Sequence, residues 1–311
     1  MMEQELAIET RELTKVFGRV KAVEGLNLRV YRGEIFGLVG PDGAGKTTTL
    51  RILASVMAPS SGVAFVGGYN VVTQAEEVKK SVGYMPQHFA LYGDLTVVEN
   101  LDFFADLFEV PEEVRAERIK RLLRFARLED FRNRRASQLS GGMQKKLALA
   151  CALIHNPQIL LLDEPTTGVD PISRREFWDL ITELHLQKTT IVVSTCYMDE
   201  AERFSRVGFM HQGKLLACSE PSKLKEIVPS GVIEVIPSDV RKAKEILRAA
   251  QGVMGIQTYG ELIHVFVEDA EGREGGIKEE LEKGGVAVRH IKVVRPRLED
   301  AFAFILSQRG G

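Results

Sequence analysis

The sequence predicts an α/β fold. A core sheet of buried strands carries a phosphate-binding loop at one strand end, and a smaller α+β region follows. Three observations lead there. An apolar run over residues 35–39 flows into Gly40-Pro41-Asp42-Gly43-Ala44-Gly45-Lys46-Thr47-Thr48, after which residues 49–53 read as a helix. A second apolar run, residues 159–162, ends on the adjacent carboxylates Asp163 and Glu164. Residues 232–294 then alternate in the order strand, helix, strand, strand, helix, strand.

The first stretch fits the pattern Gly, four residues, Gly, Lys, Ser/Thr. Its glycines let the backbone wrap a phosphate chain so that several N–H groups point inward, and the new helix adds its positive N-terminus to the same concavity. Lys46 can then reach the β- and γ-phosphates, and the Thr47 hydroxyl can ligate Mg²⁺. A chain with this loop between a strand and a helix binds a nucleoside triphosphate. In the second stretch, a continuous apolar run suits a strand buried on both faces of a parallel sheet. Asp163 at its end can hold Mg²⁺ through water, and Glu164 stands where an attacking water needs a base. Taken alone, such an Asp-Glu pair can equally cap the next segment. Beside a phosphate-binding loop it reads as the catalytic edge.

Between the two lies Leu139-Ser140-Gly141-Gly142-Met143-Gln144, running into an Ala/Leu-rich helical segment at residues 145–153. Ser140 can be an N-cap with a flexible approach, or the start of a second anion-binding helix terminus. This stretch, placed shortly before Leu161-Leu162-Asp163-Glu164-Pro165, resembles the signature of ABC-family ATPases over about residues 6–225. The resemblance implies ATP and Mg²⁺ as cofactors. It also implies an α/β P-loop ATPase domain made of a mixed-sheet core, an antiparallel β subdomain and a helical subdomain near residues 95–155. Phe17 matches the aromatic that stacks on adenine. Gln87 matches the glutamine that senses Mg²⁺ and the γ-phosphate and leads to the surface meeting a membrane subunit. Asp170 matches the loop that crosses to a partner ATPase. Members close as head-to-tail dimers, so Lys46 and the Ser140-Gly141-Gly142 signature act on one nucleotide only across two chains. The implied catalytic set is Glu164, Lys46, Gln87 and the residue at position 196, with Thr47, Gln87 and Asp163 around the metal.

Two positions depart from that pattern. Cys196 stands where the family carries a histidine, and a thiol with an ordinary pKa near 8.5 is a weak donor toward a γ-phosphate. Asp42 stands where Asn or Ser is usual and puts a carboxylate beside the phosphates.

Composition agrees with an enzyme subunit that does not itself span a membrane. The 311 residues suffice for one large domain and one small one, and the net charge of −2 makes no electrostatic case for nucleic acid. The first residues have no signal-peptide pattern, and no apolar run nears the roughly 20 residues of a membrane span. Cys151, Cys196 and Cys218 show no paired spacing, which suits a reducing compartment and gives no metal site. The basic run from Arg115 to Arg135 reads as a solvated helix face balanced by Glu112, Glu113 and Glu117.

The expected division is an ATPase domain over residues 1–225 and a small ferredoxin-like α+β domain over 226–311, its helices on one face. His264 and His290 fall in strand patterns there and read as packing residues. At the end of the chain, Leu298, Phe302 and Ile305 share one helical face. The segment Leu298-Glu299-Asp300-Ala301-Phe302 resembles the tails of ATPase subunits of bacterial drug-resistance-type exporters, whose permeases are separate polypeptides.

The reading is therefore an ATP-hydrolysing subunit of an ABC exporter, acting as a homodimer or heterodimer with an integral membrane permease near Gln87. It is placed peripherally on the cytoplasmic face of the bacterial inner membrane. The alternatives are a permease-free ABC ATPase and a nucleotide switch whose hydrolysis is weakened by Cys196.

Overall fold

The computed structural model of the chain describes residues 5–87, 91–228 and 231–309. It forms two compact units. One comprises the residues up to Tyr197 together with Phe204–Leu216; the other comprises Met198–Arg203 and the residues from Ala217 onward.

The first unit begins with a hairpin of β1 (Leu6–Phe17) and β2 (Val20–Tyr31), turned at Gly18 with φ 57°. Both strands are 12 residues long. Register shifts between Thr10 and Leu13, around Glu12 with φ 50°, change which side chains face inward and hide the period of two. After β3 (Ile35–Val39) and α1 (Lys46–Leu53), the chain returns through β4 (Ser61–Val66) and β5 (Tyr69–Asn70) to complete this antiparallel sheet in the order β2-β1-β4-β5.

A second sheet carries the site. Its later members are β6 (Val82–Met85) after α2 (Ala75–Ser81), β7 (Ile159–Asp163), β8 (Thr190–Thr195), β9 (Arg206–His211) and β10 (Lys214–Ser219). The order is β10-β9-β3-β8-β7-β6, and every pair from β9 to β6 is parallel. Strands β3, β7 and β8 are buried at every position, as their uninterrupted apolar runs require of a sheet covered on both faces. Their carboxyl ends lie side by side, the usual place for a ligand in an open α/β sheet.

Between β6 and β7 stand α3 (Val97–Leu107), α4 (Glu112–Phe125) and α5 (Gly141–Ala152), with α6 (Pro171–Leu186) after β7. Thr96 and Glu99 start α3 with a reciprocal capping box. The basic run lies on and after α4 and finds partners other than the glutamates expected. Arg115 pairs with Asp106, Arg124 with Glu129 and Arg127 with Glu176, while Arg118 donates to the Ile154 carbonyl. No helix among the described residues is long and apolar enough to cross a membrane.

The second unit contains α7 (Met198–Ala201), α8 (Pro221–Lys225), β11 (Val232–Pro237), α9 (Val240–Ala249), β12 (Val253–Tyr259), β13 (Leu262–Val267), α10 (Ala270–Lys283), β14 (Val288–Val294) and α11 (Leu298–Arg309). Its antiparallel sheet, ordered β12-β13-β11-β14, is ferredoxin-like. Ile233, Val235, Ile263 and Val265 meet Leu247 of α9 and Ile277 and Leu281 of α10 in one core. Helix α10 begins at Ala270. Gly272, Gly275 and Gly276 lower helix propensity there, but Asp269 caps the turn by accepting from the Gly272 N–H.

Helices cover both faces of this sheet rather than one. Phe266 meets Phe304 of α11 edge-on with centroids 5.7 Å apart. The buried face of α11 is Leu298, Ala301, Phe304 and Ile305, with Phe302 only half-buried. The reading of the histidines as packing residues holds for His264, which lies edge-on to Tyr259 with centroids 5.0 Å apart, and is corrected for His290. His264 is buried, but its ring nitrogens lie 2.6 Å from Asp300 Oδ1 and 3.4 Å from Glu234 Oε2. The neighbouring position in the same strand turns inward to α9 and α10, so His264 turns to α11, where Asp300 waits. His290 is substantially exposed, with Nε2 3.8 Å from Glu234.

Candidate active site

The loop between β3 and α1 is shaped by glycine at two points. A Cβ on Gly40 would overlap the Met210 carbonyl, and Gly45 adopts φ 102° with the Ala22 carbonyl where a Cβ would sit. Helix α1 begins at once with Lys46, so its first N–H groups and its positive end face the loop. The Lys46 ammonium is 3% exposed. It donates to the carbonyls of Gly40 (2.8 Å) and Pro41 (3.0 Å) and lies 3.2 Å from Glu164 Oε1. Thr47 Oγ1 donates to Asp163 Oδ1 at 3.0 Å. Thr48 continues the helix.

The two carboxylates at the end of β7 differ in backbone. Asp163 is the last strand residue, fully buried. Glu164 turns into the left-handed region at φ 46°, a conformation that costs an L-residue roughly 1–2 kcal/mol. That turn aims its side chain at the loop. Glu164 Oε1 meets Lys46, and Oε2 accepts from Gln87 Nε2 at 2.9 Å and from Thr167 Oγ1 at 3.4 Å. Lys145 of α5 donates to the Gln87 carbonyl at 3.1 Å, and burial lowers its ammonium pKa. Residues 88–90, beyond Gln87, lie outside the described residues.

Asp163 Oδ1 accepts from both Thr47 and Ser194, while Oδ2 is buried with no partner among the described residues. Burial pushes the Asp163 carboxyl pKa up, against the Ser194 and Thr47 hydrogen bonds. The orphaned Asp163 oxygen, the Thr47 hydroxyl beside that carboxylate and the amide oxygen of Gln87, next to Glu164, make an all-oxygen donor set, the kind a hard cation such as Mg²⁺ takes. These residues fit that ion.

Lys46, Glu164, Gln87 and Phe17 line one cleft of about 790 Å³ together with Asp42, Gly43, Ala44, Gly45, Thr47, Thr48 and Cys196. Phe17 is 47% exposed at its rim, with Lys15 Nζ 5.2 Å from the ring centre. Asp42, Glu164 and Cys196 bring ligand atoms within 4.8 Å of one another, yet Lys46 already neutralises that corner through Glu164. Burial first, and the Glu164 charge next, push the Cys196 thiol up, so it is a neutral weak donor at the cleft wall.

The remaining predicted residues lie elsewhere. Ser140 caps α5 by accepting from the Met143 N–H at 3.3 Å, and Gly141 lines an adjoining cavity with Gly168 and Gln144, which shares Gln87 and Thr167 with the cleft. Asp170 caps α6, and hydrogen bonds from Ser173 hold its carboxyl below the usual carboxylate range. Gly142 lies against Ser173, where a Cβ would not fit. Sequence reasoning missed Ser194, Thr167 and Lys145. Only Ser194 carried a signal, as a hydroxyl two residues before Cys196 on the strand beside β7.

The family model described as ABC transporter matches residues 23–167. YbhF of Escherichia coli, a probable multidrug ABC transporter ATP-binding protein, is 43% identical over 221 residues. That match takes in 71% of this chain and 38% of YbhF, so the chain spans about two fifths of that relative's length. The daunorubicin resistance ATP-binding protein DrrA2 of Streptomyces coeruleorubidus is 34% identical, covering 97% of this chain and 96% of DrrA2. The Nod factor export ATP-binding protein I of Paraburkholderia xenovorans is 37% identical over 96% of both. Among solved structures, an ATP-binding subunit of an ABC transporter matches 70% of this chain and 92% of its own at 28% identity, with a TM-score of 0.64. The dimeric bacterial cassette MJ0796 matches 68% of this chain and 98% of its own at 29% identity, with a TM-score of 0.63. With a relative matched along nearly its whole length, and the loop, signature and carboxylate pair all lying within the matched residues 23–167, this chain belongs to the ABC transporter family.

Proposed function

We propose that the chain powers a bacterial ABC exporter by binding and hydrolysing ATP, while a separate integral membrane permease moves the cargo. The observation that carries this reading is the convergence of Lys46 and Gln87 on Glu164 beside the half-partnered Asp163. Lys46 acts as the phosphate clamp and Glu164 as the general base that takes the proton of the attacking water. Gln87 holds Glu164 in line, and Phe17 offers a π-face to adenine at the cleft rim. Thr47, Asp163 and Gln87 are the residues that would hold Mg²⁺, which when bound neutralises phosphate charge. Two chains, alike or different, join head to tail so that Ser140-Gly141-Gly142 and Asp170 of one complete the nucleotide site of the other. None of these residues lines the cleft of its own chain, which supports this, as do the helix start at Ser140 and the dimeric form of the MJ0796 cassette. Residues 1–225 form the ATPase domain and 226–311 an accessory domain. The region of Gln87 meets the permease, and the subunit sits peripherally on the cytoplasmic face of the membrane. Export, rather than import, is supported by the likeness to the Nod factor export ATP-binding protein, which is matched along nearly its whole length.

The test is Glu164→Gln in the purified chain. ATP binding persists, turnover falls by about 10²–10⁴ and an ATP-bound dimer accumulates on gel filtration. Turnover within a few-fold of the parent removes Glu164 from the role of base. A second reading, a nucleotide switch with weak hydrolysis, is favoured by the Cys196 thiol at the cleft wall. It predicts that the parent chain itself hydrolyses ATP barely faster than the Glu164→Gln variant.

A further inference from the structure

We propose that Ser194 is the positioning residue that sets both carboxylates of the site, and so governs metal-dependent nucleotide binding and turnover. The inference rests on the roles proposed for Asp163 and Glu164. Ser194 is fully buried on β8, the parallel neighbour of β7, with Asp163 directly across from it in register. Its hydroxyl makes two bonds of opposite sense. It donates to Asp163 Oδ1 at 2.6 Å, and it accepts from the Glu164 N–H at 3.0 Å. The same N–H also reaches the Ser194 backbone carbonyl at 3.1 Å. One side chain thus ties the last strand residue and the first residue beyond it to the adjacent strand.

Each bond has its own consequence. Glu164 departs from the strand through a left-handed backbone at φ 46°, which persists only where its surroundings over-determine it. The pair of acceptors on Ser194 holds the Glu164 N–H in that turn and thereby fixes the root of the side chain that meets Lys46 and Gln87. On Asp163, Ser194 and Thr47 both donate to Oδ1, which leaves Oδ2 as the oxygen turned to a cation. Without the hydroxyl, Oδ1 keeps only the Thr47 donor, itself a residue proposed to hold the ion, so the broad terminal torsion of the carboxylate is held less firmly and the oxygen left for the ion is less well selected. A buried donor aimed at a metal-binding carboxylate orients that ligand, and loss of such outer partners typically weakens metal affinity by about 10–100-fold.

The experiment uses the full chain with Ser194→Ala, Ser194→Thr and Ser194→Val. Threonine keeps the hydroxyl, and valine has the same shape without it. Affinity for a fluorescent ATP analogue is measured in Mg²⁺ and in EDTA, beside steady-state kcat and KM. The ratio of the two affinities isolates the metal. Ser194→Ala is expected to leave binding in EDTA unchanged, to cut the Mg²⁺ enhancement by about tenfold with KM rising in step, and to lower kcat by about tenfold or more. Ser194→Thr recovers both quantities, and Ser194→Val does not. The proposal is overturned if Ser194→Ala retains kcat and the enhancement within about threefold, or if threonine restores no more than valine. Equal loss of binding in EDTA by all three variants overturns it too, because that marks a strut of the fold. Glu164→Gln is run alongside. Persistent hydrolysis there removes the proposed base, while the Mg²⁺ ratio still decides the role of Ser194.

Discussion

Asp163 and Asp300 are both carboxylates without exposure to solvent, and the chain uses them in opposite ways. Asp300 in the second unit is saturated. Its Oδ1 lies 2.6 Å from His264 Nδ1 and accepts from the Tyr259 hydroxyl at 3.2 Å, and its Oδ2 accepts from the Arg297 N–H at 2.8 Å. Glu234 and Lys292 extend the network on the far side of His264. Asp163 in the first unit receives two hydroxyls on one oxygen and, among the described residues, no donor on the other. A buried polar group that closes on its neighbours ties a helix to a sheet; one that leaves a valence open is built for a ligand. The first kind stabilises the fold, and the second lowers its stability in return for chemistry.

The largest expected effect tests that contrast directly. Asp300→Ala strips His264 and Tyr259 of their acceptor, and breaking such a buried pair costs about 3–5 kcal/mol. Hydrogen exchange of β13 and α11 should show that loss as greatly reduced protection. Asp163→Asn removes a buried charge that is only half-partnered, so the unliganded protein should stay within about 1 kcal/mol of the parent in urea while turnover collapses. Equal destabilisation by the two substitutions would erase the distinction.

Lys46→Ala is next in size. The ammonium is held against two loop carbonyls and Glu164, ready for phosphate oxygens, and a charge-assisted contact of this kind contributes roughly 1.5–3 kcal/mol. Calorimetric titration with ATP should therefore show an affinity about 10–150-fold weaker. An unchanged Kd would mean that Lys46 is itself an architectural group like those around Asp300.

Cys196→His is the smallest change and the most discriminating. An imidazole at the cleft wall supplies the oriented donor that a neutral thiol lacks, and such positioning bears on the chemical step more than on binding. The expected result is a rise in kcat of about tenfold, with ATP affinity nearly constant. No gain, or a loss, would show that the cleft is organised around the thiol.

Residue order alone determined the sheet that carries the site, the phosphate loop, the Asp163-Glu164 strand end and the helix start at Ser140. Each is written in a contiguous run whose spacing has one physical solution: an apolar strand, glycines where a Cβ has no room, a cap before a helix. The same locality made the strand-helix order of the second unit legible. Long-range pairing decided what that order left open. The alternation of β1 was masked by a bulge, and the glycines of α10 concealed its first two turns. His264 looked like a packing residue alone because nothing near it in sequence announces Asp300, 36 positions away. Ser194 was in plain view, yet its meaning depends on standing across from Asp163 in a parallel register. A side chain's chemical type is local, whereas the partner that gives it work is chosen only when strands and helices meet.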